Sequence, residues 1–382
     1  MSDEELNVCG ILRDEGACAF YRVRQPLNWV NEKYGINAAV GGVSSDHDSN
    51  LFDLLLDCDV VLLPRPFDLK TLELIKLCQN AGKKVIADHD DNIFCLNPMS
   101  PHYMYGGVEN VTAFVNGEKL NVWEDGVTEC DGKIFNIAKN KKKLELAKEC
   151  LKTVDAVTVT TDELADAYRA YNDKIFVLPN CIEPDHWKPV KLVKDGWVRI
   201  TWHGGCSHYD DLLTVQDSIT RIARKHKNVK FIICGSEFKG IFKDVRPEQY
   251  EYHGWVPRAV HPYKQMLINS DLAMIPLKDD LFNTCKSSIK WVEYSCLEIP
   301  SVVMNMLPYS PVVEHNETGF LYNNNEEFES YISRLVESPD LRKRIGKNAR
   351  NYVEQEYGAD ENAYKWAEVF WEVTGGTIRD KK

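Results

Sequence analysis

Along the chain, short apolar runs bounded by turn residues alternate with stretches in which apolar positions recur every three or four residues. Runs of the first kind read as strands and stretches of the second as amphipathic helices, so the pattern is strand, helix, strand, helix. Strands are predicted at 7–12, 38–42, 60–64 and 84–87, with helical patterns running on from 16–24 and at 51–56 and 69–78. Residues 98–131 are rich in Gly, Asn, Tyr and Pro and lack periodicity, which predicts an insertion or a long loop over a cleft. A helix at 134–154, a β-branched strand at 156–161, a helix capped by Asp162 and running to about 171, and a strand at 175–178 complete a first array. The alternation restarts at 198–202 and continues with a helix opening near Asp210, strands at 229–234 and 252–256, a helix at 263–270, and strands at 272–277 and 301–304. Helices from Glu326 and Leu341 follow, and a last one carries Ala363, Trp366, Ala367 and Phe370 on one face.

Two consecutive βα arrays predict an α/β fold of two Rossmann-like doubly wound domains facing one another across a cleft. The expected organisation is a first domain over 1–180, a hinge over the turn-rich 181–196, a second domain over 197–360, and a terminal helix and tail over 361–382 placed to pack back on the first domain. A chain of 382 residues is long enough for two such cores.

Composition narrows the function classes. Hydrophobic residues at 44% and charged residues at 27% are ordinary globular values. No apolar run approaches the ~20 residues of a membrane span, and the first five residues are acidic where a secretory signal would be basic, so a cytoplasmic protein is expected. The 12 cysteines include no CxxC pair and read as small buried hydrophobes rather than disulfides or a metal site. A net charge of −12 argues against a whole-surface nucleic-acid binder, while Lys139, Lys141, Lys142 and Lys143 form one local basic cluster, most simply a solvated helix face.

Candidate chemistry concentrates in the second array. The stretch NTCKSSIKWVEYSCLEIP, residues 283–300, lies between two strands and begins at the carboxyl edge of the sheet, where ligands of such folds bind. With a helix starting near Ser287 and capped by Asn283 or Thr284, Lys286, Lys290 and Glu293 share one helical face. Backbone N–H groups, a positive helix end and two lysines suit a phosphate or diphosphate, and Glu293 can accept from vicinal hydroxyls such as those of a ribose. The same spacing is equally that of a surface Lys/Glu pair. The turn His203-Gly204-Gly205-Cys206-Ser207-His208 is a second place where backbone can approach an anion. In the first array, Asp88-His89-Asp90-Asp91-Asn92 closes the strand at 84–87 and can bind a cation, hold an acceptor hydroxyl, supply a base or merely cap a turn. Arg22 and Arg24 stand near the mouth of the first βα unit, whose turn lacks the GxGxxG spacing of a dinucleotide site.

These residues resemble a known family. VDAVTVTTDELAD, VLPNCIEPDHW, TWHGGCSHYDDL, YHGWV and FNTCKSSIKWVEYSCLEIPSVV are similar, in order and kind, to the second half of the family-4 retaining glycosyltransferases of the GT-B fold. The resemblance runs from about Ala156 to the C-terminus, and ADHDDNIF looks like an Asp-x-Asp-Asp segment of a subgroup whose donor helix reads KSxxKxxE. The family's usual pair of glutamates eight positions apart is here Cys285 and Glu293, and its donor-loop Arg and Lys are replaced by His203 and His208, expected to give a weaker, pH-dependent charge.

The resemblance implies transfer of a sugar from a nucleoside diphosphate sugar to an acceptor hydroxyl with retention at the anomeric carbon, with the donor as co-substrate and neither a metal nor another cofactor. It implies donor contacts from His203, Gly204, Gly205, His208, Trp255, Val256, Thr284, Cys285, Lys286, Ser287, Lys290 and Glu293, with Lys286 and the 283–287 backbone taking over sugar and phosphate contacts. His89 or Asp88 would orient the acceptor, beside Arg22, Arg24 and Asp90. Two alternatives stay open: a transferase acting on modified DNA bases, of the bacteriophage type, and a catalytically inactive nucleotide-sugar binder. Donor, acceptor and oligomeric state are not legible.

Overall fold

The computed structural model describes residues 5–14, 16–42, 48–115, 118–130, 132–189, 195–254, 267 and 269–378. Two six-stranded parallel sheets organise the chain. In the first, β1 (Asn7–Leu12), β2 (Asn37–Gly42), β3 (Val60–Pro64) and β4 (Lys84–His89) are joined, after the two-stranded hairpins β5 (Val111–Val115) with β6 (Glu118–Trp123) and β7 (Glu129–Cys130) with β8 (Lys133–Ile134), by β9 (Ala156–Val159) and β10 (Ile175–Val177). Its order is β10-β9-β4-β3-β1-β2. The second sheet holds β11 (Val198–Gly204), β12 (Val229–Gly235), β13 (Tyr250–Gly254), β14 (Leu272–Ile275), β15 (Ser301–Met304) and β16 (Phe320–Tyr322), in the order β13-β12-β11-β14-β15-β16.

Strands such as Val60-Val61-Leu62-Leu63 and Leu272-Ala273-Met274-Ile275 are buried throughout, because helices cover both faces of a parallel sheet and every position must be apolar. In the second sheet the chain runs outward from β11 to β13 and then returns to β14 on the other side of β11. That reversal opens a crevice between the carboxyl ends of β11 and β14, where this class of sheet takes its ligands.

Local details depart from the periodicity. Residues 98–131 include strands, not a bare loop: Tyr103, Met104, Trp123 and Phe135 form a small core of their own beneath the hairpins. Thr161, not Asp162, caps the helix Asp162–Tyr168, accepting from the Leu164 amide. β16 is three residues long, too short to show a period. The helix Ala359–Thr374 packs against Gln25–Tyr34, with Trp366, Ala367 and Phe370 buried among Leu6, Val8, Leu27 and Val30 of the first domain. Among the described residues no helix is long and apolar enough to cross a membrane, and the 12 cysteines are free thiols.

Candidate active site

β11 ends in His203-Gly204, and the backbone at Gly204 has no room for a side chain. A Cβ on Gly204 would stand 2.9 Å from the Trp202 ring and 3.0 Å from that of His208. On the adjacent strand Gly235 has φ +100°, and a Cβ there would overlap the Gly204 carbonyl oxygen, which accepts from the Ser236 amide at 2.9 Å. Beyond the turn, Asp211 fixes the loop. Its Oδ2 lies 2.6 Å from His208 Nδ1, while its Oδ1 accepts from the Lys278 amide (2.9 Å) and Asn283 Nδ2 (2.7 Å). One buried carboxylate thus ties the loop after β11 to the loop after β14, across the crevice.

Residues after β14 form two helical pieces. Asp280 caps Leu281–Thr284 by accepting from the Asn283 amide, and a separate helix spans Ile289–Cys296 with Ser288 at its N-cap position and no side-chain cap. The expected helix start at Ser287 with an Asn283 or Thr284 cap is therefore corrected. Asn283 turns instead to Asp211, and Thr284 Oγ1 donates to the Asp280 carbonyl. Lys286 lies on the connecting turn, not on the helix, yet its Nζ reaches within 3.4 Å of His208 Nδ1. Lys290 extends over the Trp202 ring, 4.9 Å from its centroid. Desolvation, and then the charge of Lys286, push the Lys290 ammonium down to about 7. Burial lowers both His203 and His208 from the ordinary histidine value, against the pull of Glu293 on His203, and for His208 the two lysines push further the same way, which works against the charge expected of them. Positive charge in the crevice comes from the lysines.

Glu293 is 5% exposed, and both its oxygens are engaged. Oε2 lies 3.0 Å from His203 Nε2, and Oε1 accepts from Tyr21 of the first domain at 2.6 Å. The two domains are stitched along this segment. Thr161 Oγ1 donates to the Cys285 carbonyl (3.1 Å), Asn92 Nδ2 lies 3.6 Å from Cys285 Sγ, and Asn180 Nδ2 donates to Ser287 Oγ (3.0 Å).

On the first domain, Arg22 and Asp88 are both fully buried and satisfy one another: Nη2 and Oδ2 are 2.7 Å apart. Thr158 Oγ1 donates to Asp88 at 2.6 Å, and Arg22 Nη1 donates to the Leu178 carbonyl and to Asn180 Oδ1. Neither side chain can meet an acceptor from there, so the acceptor roles expected of Arg22 and Asp88 give way to a structural one. His89 is also fully buried, its ring edge-on to Tyr168, and burial pushes it down to about 3, which leaves it neutral. It is not placed to hold an acceptor. Asp90 and Arg24 are partly exposed, and Asp90 Oδ1 stands 3.9 Å from Arg65 Nε. Arg65 has φ +46°, unusual for a residue with a side chain and commonest where function over-determines the backbone. Burial, then Asp90, raise the neighbouring Asp91 to about 6. Among the described residues no three His, Cys, Asp or Glu side chains are grouped to hold a metal ion. Trp255 and Val256, expected near a nucleotide base, lie outside the described residues.

Residues 206–352 match the family described as Glycosyl transferases group 1. The match covers the second domain from just beyond its glycine turn. Glycosyltransferase 1 domain-containing protein 1 of Xenopus tropicalis is 28% identical over 153 residues, 39% of this chain and 43% of that protein, so the chain spans less than half the length of the curated relative it matches. Among solved structures, a glycosyltransferase from Rickettsia africae superposes with a TM-score of 0.64 at 12% identity, over 97% of this chain and 99% of the other. HepE of Anabaena in complex with UDP-glucose gives 0.63 at 12% identity, over 96% and 99%. Sucrose-phosphate synthase of Thermosynechococcus elongatus gives 0.62 at 12% identity, over 97% and 100%. The fold is GT-B.

The matched segment includes His208, Thr284, Cys285, Lys286, Ser287, Lys290 and Glu293, with His203, Gly204 and Gly205 just ahead of it; Cys285 and Ser287 meet Asn92 and Asn180 of the first domain. Sequence reasoning missed Tyr21, Asn180 and Asp211. Asp211 had a signal, an acid one turn into a helix after a glycine turn. Tyr21 and Asn180 had none, because their partners lie in the other domain. In the basic cluster, Lys143 Nζ donates to the Tyr105 carbonyl and caps the Phe67 ring at 4.1 Å, whereas Lys139, Lys141 and Lys142 are exposed.

Proposed function

We propose that the protein transfers a sugar from a nucleoside diphosphate sugar to an acceptor hydroxyl, with retention at the anomeric carbon. The observation that carries this reading is the meeting, at the switch point of the second sheet, of the Gly204-Gly205 turn with Lys286 and Lys290. A diphosphate seated there would take charge from the two lysines and N–H donors from the turn, preorganised for the leaving group as its negative charge develops. Glu293, one turn past Lys290 on the helix Ile289–Cys296, suits the ribose diol. In the working mechanism the acceptor oxygen attacks the anomeric carbon on the face that the diphosphate leaves. The bond to the phosphate oxygen breaks, the new glycosidic bond forms, and the acceptor proton passes to the departing phosphate. Asp90 and Arg24, the partly exposed members of the acceptor set, would flank that approach. HepE was solved with UDP-glucose, which makes uridine nucleotides the first donors to try.

A second reading, a nucleotide-sugar binder without turnover, draws on Cys285. Where the resemblance calls for a glutamate on the transferred sugar, the chain has a thiol closed into the domain seam. A thermal-shift panel of UDP, GDP, ADP and their sugar conjugates, followed by NMR of the anomeric products, separates the two. Stabilisation by one nucleotide with release of retained product is the expected result. Stabilisation with no turnover on any acceptor favours the binder, and no stabilisation overturns both.

A further inference from the structure

Tyr21 lies in Phe20–Arg24, a π-helical stretch closed by the Gln25 amide donating to the Phe20 carbonyl, set between Ala17–Ala19 and Gln25–Tyr34. The wider turn changes the angle between successive side chains, and such single-turn insertions recur at functional sites. Here two adjacent residues take two different jobs. Arg22 goes inward to Asp88 and Asn180, and Tyr21 crosses to the second domain and donates to Glu293 Oε1 at 2.6 Å. Tyr21 is 7% exposed and Glu293 5%, so the contact is largely shielded from solvent.

We infer that Tyr21 is a positioning residue that occupies the ribose place on Glu293 in the donor-free protein, so that the donor must displace an interdomain hydrogen bond in order to bind. The inference rests on the reading of Glu293 as the ribose acceptor. A phenol O–H and a ribose O–H are the same kind of donor, and the 2.6 Å contact puts the Tyr21 oxygen where a hydroxyl reaching Oε1 from that side would stand. Binding therefore exchanges Tyr21 for a ribose hydroxyl at Glu293, while His203 stays on the other oxygen. No bond is made or broken covalently. The exchange also loosens one of the contacts that hold the domains together, so that donor occupancy and domain closure are coupled through a single side chain. A nucleotide lacking that ribose hydroxyl leaves Tyr21 in place and bears no cost for the exchange, so Tyr21 weakens ribonucleotide binding selectively.

The test is a double-mutant cycle of Tyr21→Phe and Glu293→Gln, read as nucleotide affinity by calorimetry with UDP, GDP and ADP, and with the 2′-deoxy form of whichever binds. Tyr21→Phe keeps the ring and its packing, and a melting curve checks that the variant is folded. The expected result is about tenfold tighter ribonucleotide binding in Tyr21→Phe, the scale of one hydrogen bond to a charged group. The gain should shrink in the Glu293→Gln background and for the 2′-deoxynucleotide. Unchanged or weaker binding in Tyr21→Phe overturns the inference while leaving the nucleotide site standing, as does an equal gain in the Glu293→Gln background. Failure of all three nucleotides to bind wild type and Tyr21→Phe alike overturns the reading of the site itself, and this inference with it.

Discussion

The hydroxyl of Thr161, on the first domain, donates to the main-chain carbonyl of Cys285, on the second, at 3.1 Å. Thr161 also caps its own helix, so one side chain fixes both a helix start and the domain seam. Cys285 is 1% exposed and packs into the first domain's core cluster. The position is thus part of the docking between domains.

Placing at this position the glutamate that the resemblance calls for should therefore harm the protein. Cys285→Glu would bury a carboxyl beside Asn92 and near Asp91, with no cation paired to it, at a cost of about 2 kcal/mol or more. A melting temperature lower by several degrees and no gain in transfer rate are expected, whereas Cys285→Ala should shift melting only slightly. A gain in activity with unchanged melting in Cys285→Glu would show that the side chain reaches the cleft.

Breaking the Arg22–Asp88 pair tests its structural role in the first domain. Both groups are fully buried, and removing one leaves the other without its counter-charge, which costs about 3–5 kcal/mol. Arg22→Met should be strongly destabilised in denaturant titrations, and Arg22→Met with Asp88→Leu should recover much of the loss. If Arg22→Met unfolds at the wild-type midpoint, the pair is not structural.

The two sheets were legible because buried parallel strands are continuous apolar runs, as at Val60–Pro64, and a run of that kind needs no knowledge of its neighbours. The glycine turn and the Lys290/Glu293 spacing were legible for the same reason: they are local. What was not legible depends on how the domains meet. Tyr21 and Glu293 are 272 residues apart, and nothing near either one announces the other. Burial was equally hidden. Asp88 and His89 read as a polar cluster at a strand end, and only the packing of Arg22 and Tyr168 against them turns both inward. His203 and His208 read as switchable charges because their type is visible in a sequence and their desolvation is not.

Asp211 should show itself in acid. Burial pushes its carboxyl up, but the hydrogen bond from His208 and the charge of Lys286 outweigh that and hold it well below the ordinary value of 3.8. A carboxylate depressed by folding contributes stability that is present above its unfolded value and is lost as pH falls below it. Wild type should thus exceed Asp211→Asn in unfolding free energy at pH 6, and the gap should close between about pH 4 and the onset of acid unfolding. A gap independent of pH would mean that the carboxylate is held by shape alone. The same substitution faces an amide N–H toward His208, so nucleotide binding should weaken as well.

Lys290 offers the sharpest pH signature. Its ammonium is pushed down to about 7 by desolvation and by Lys286, so without a ligand it is mostly neutral at pH 8. For a lysine depressed in the folded state, the charged form is penalised, and this group costs stability increasingly as pH falls from its unfolded value toward 7, and no further below that. A diphosphate supplies the missing counter-charge, raises the lysine again and draws in a proton on binding. Affinity should accordingly be greatest at and below pH 7 and fall as pH rises toward 9, by up to about tenfold per unit. Calorimetry of UDP binding at pH 8 in Tris and in HEPES, whose ionisation enthalpies differ, should report net proton uptake. Lys290→Arg, permanently charged, should keep affinity and lose both the uptake and the slope, while Lys290→Met should bind more than tenfold less tightly at pH 7 with little pH dependence. Proton release, or an uptake unchanged in Lys290→Arg, would place the diphosphate away from this side chain.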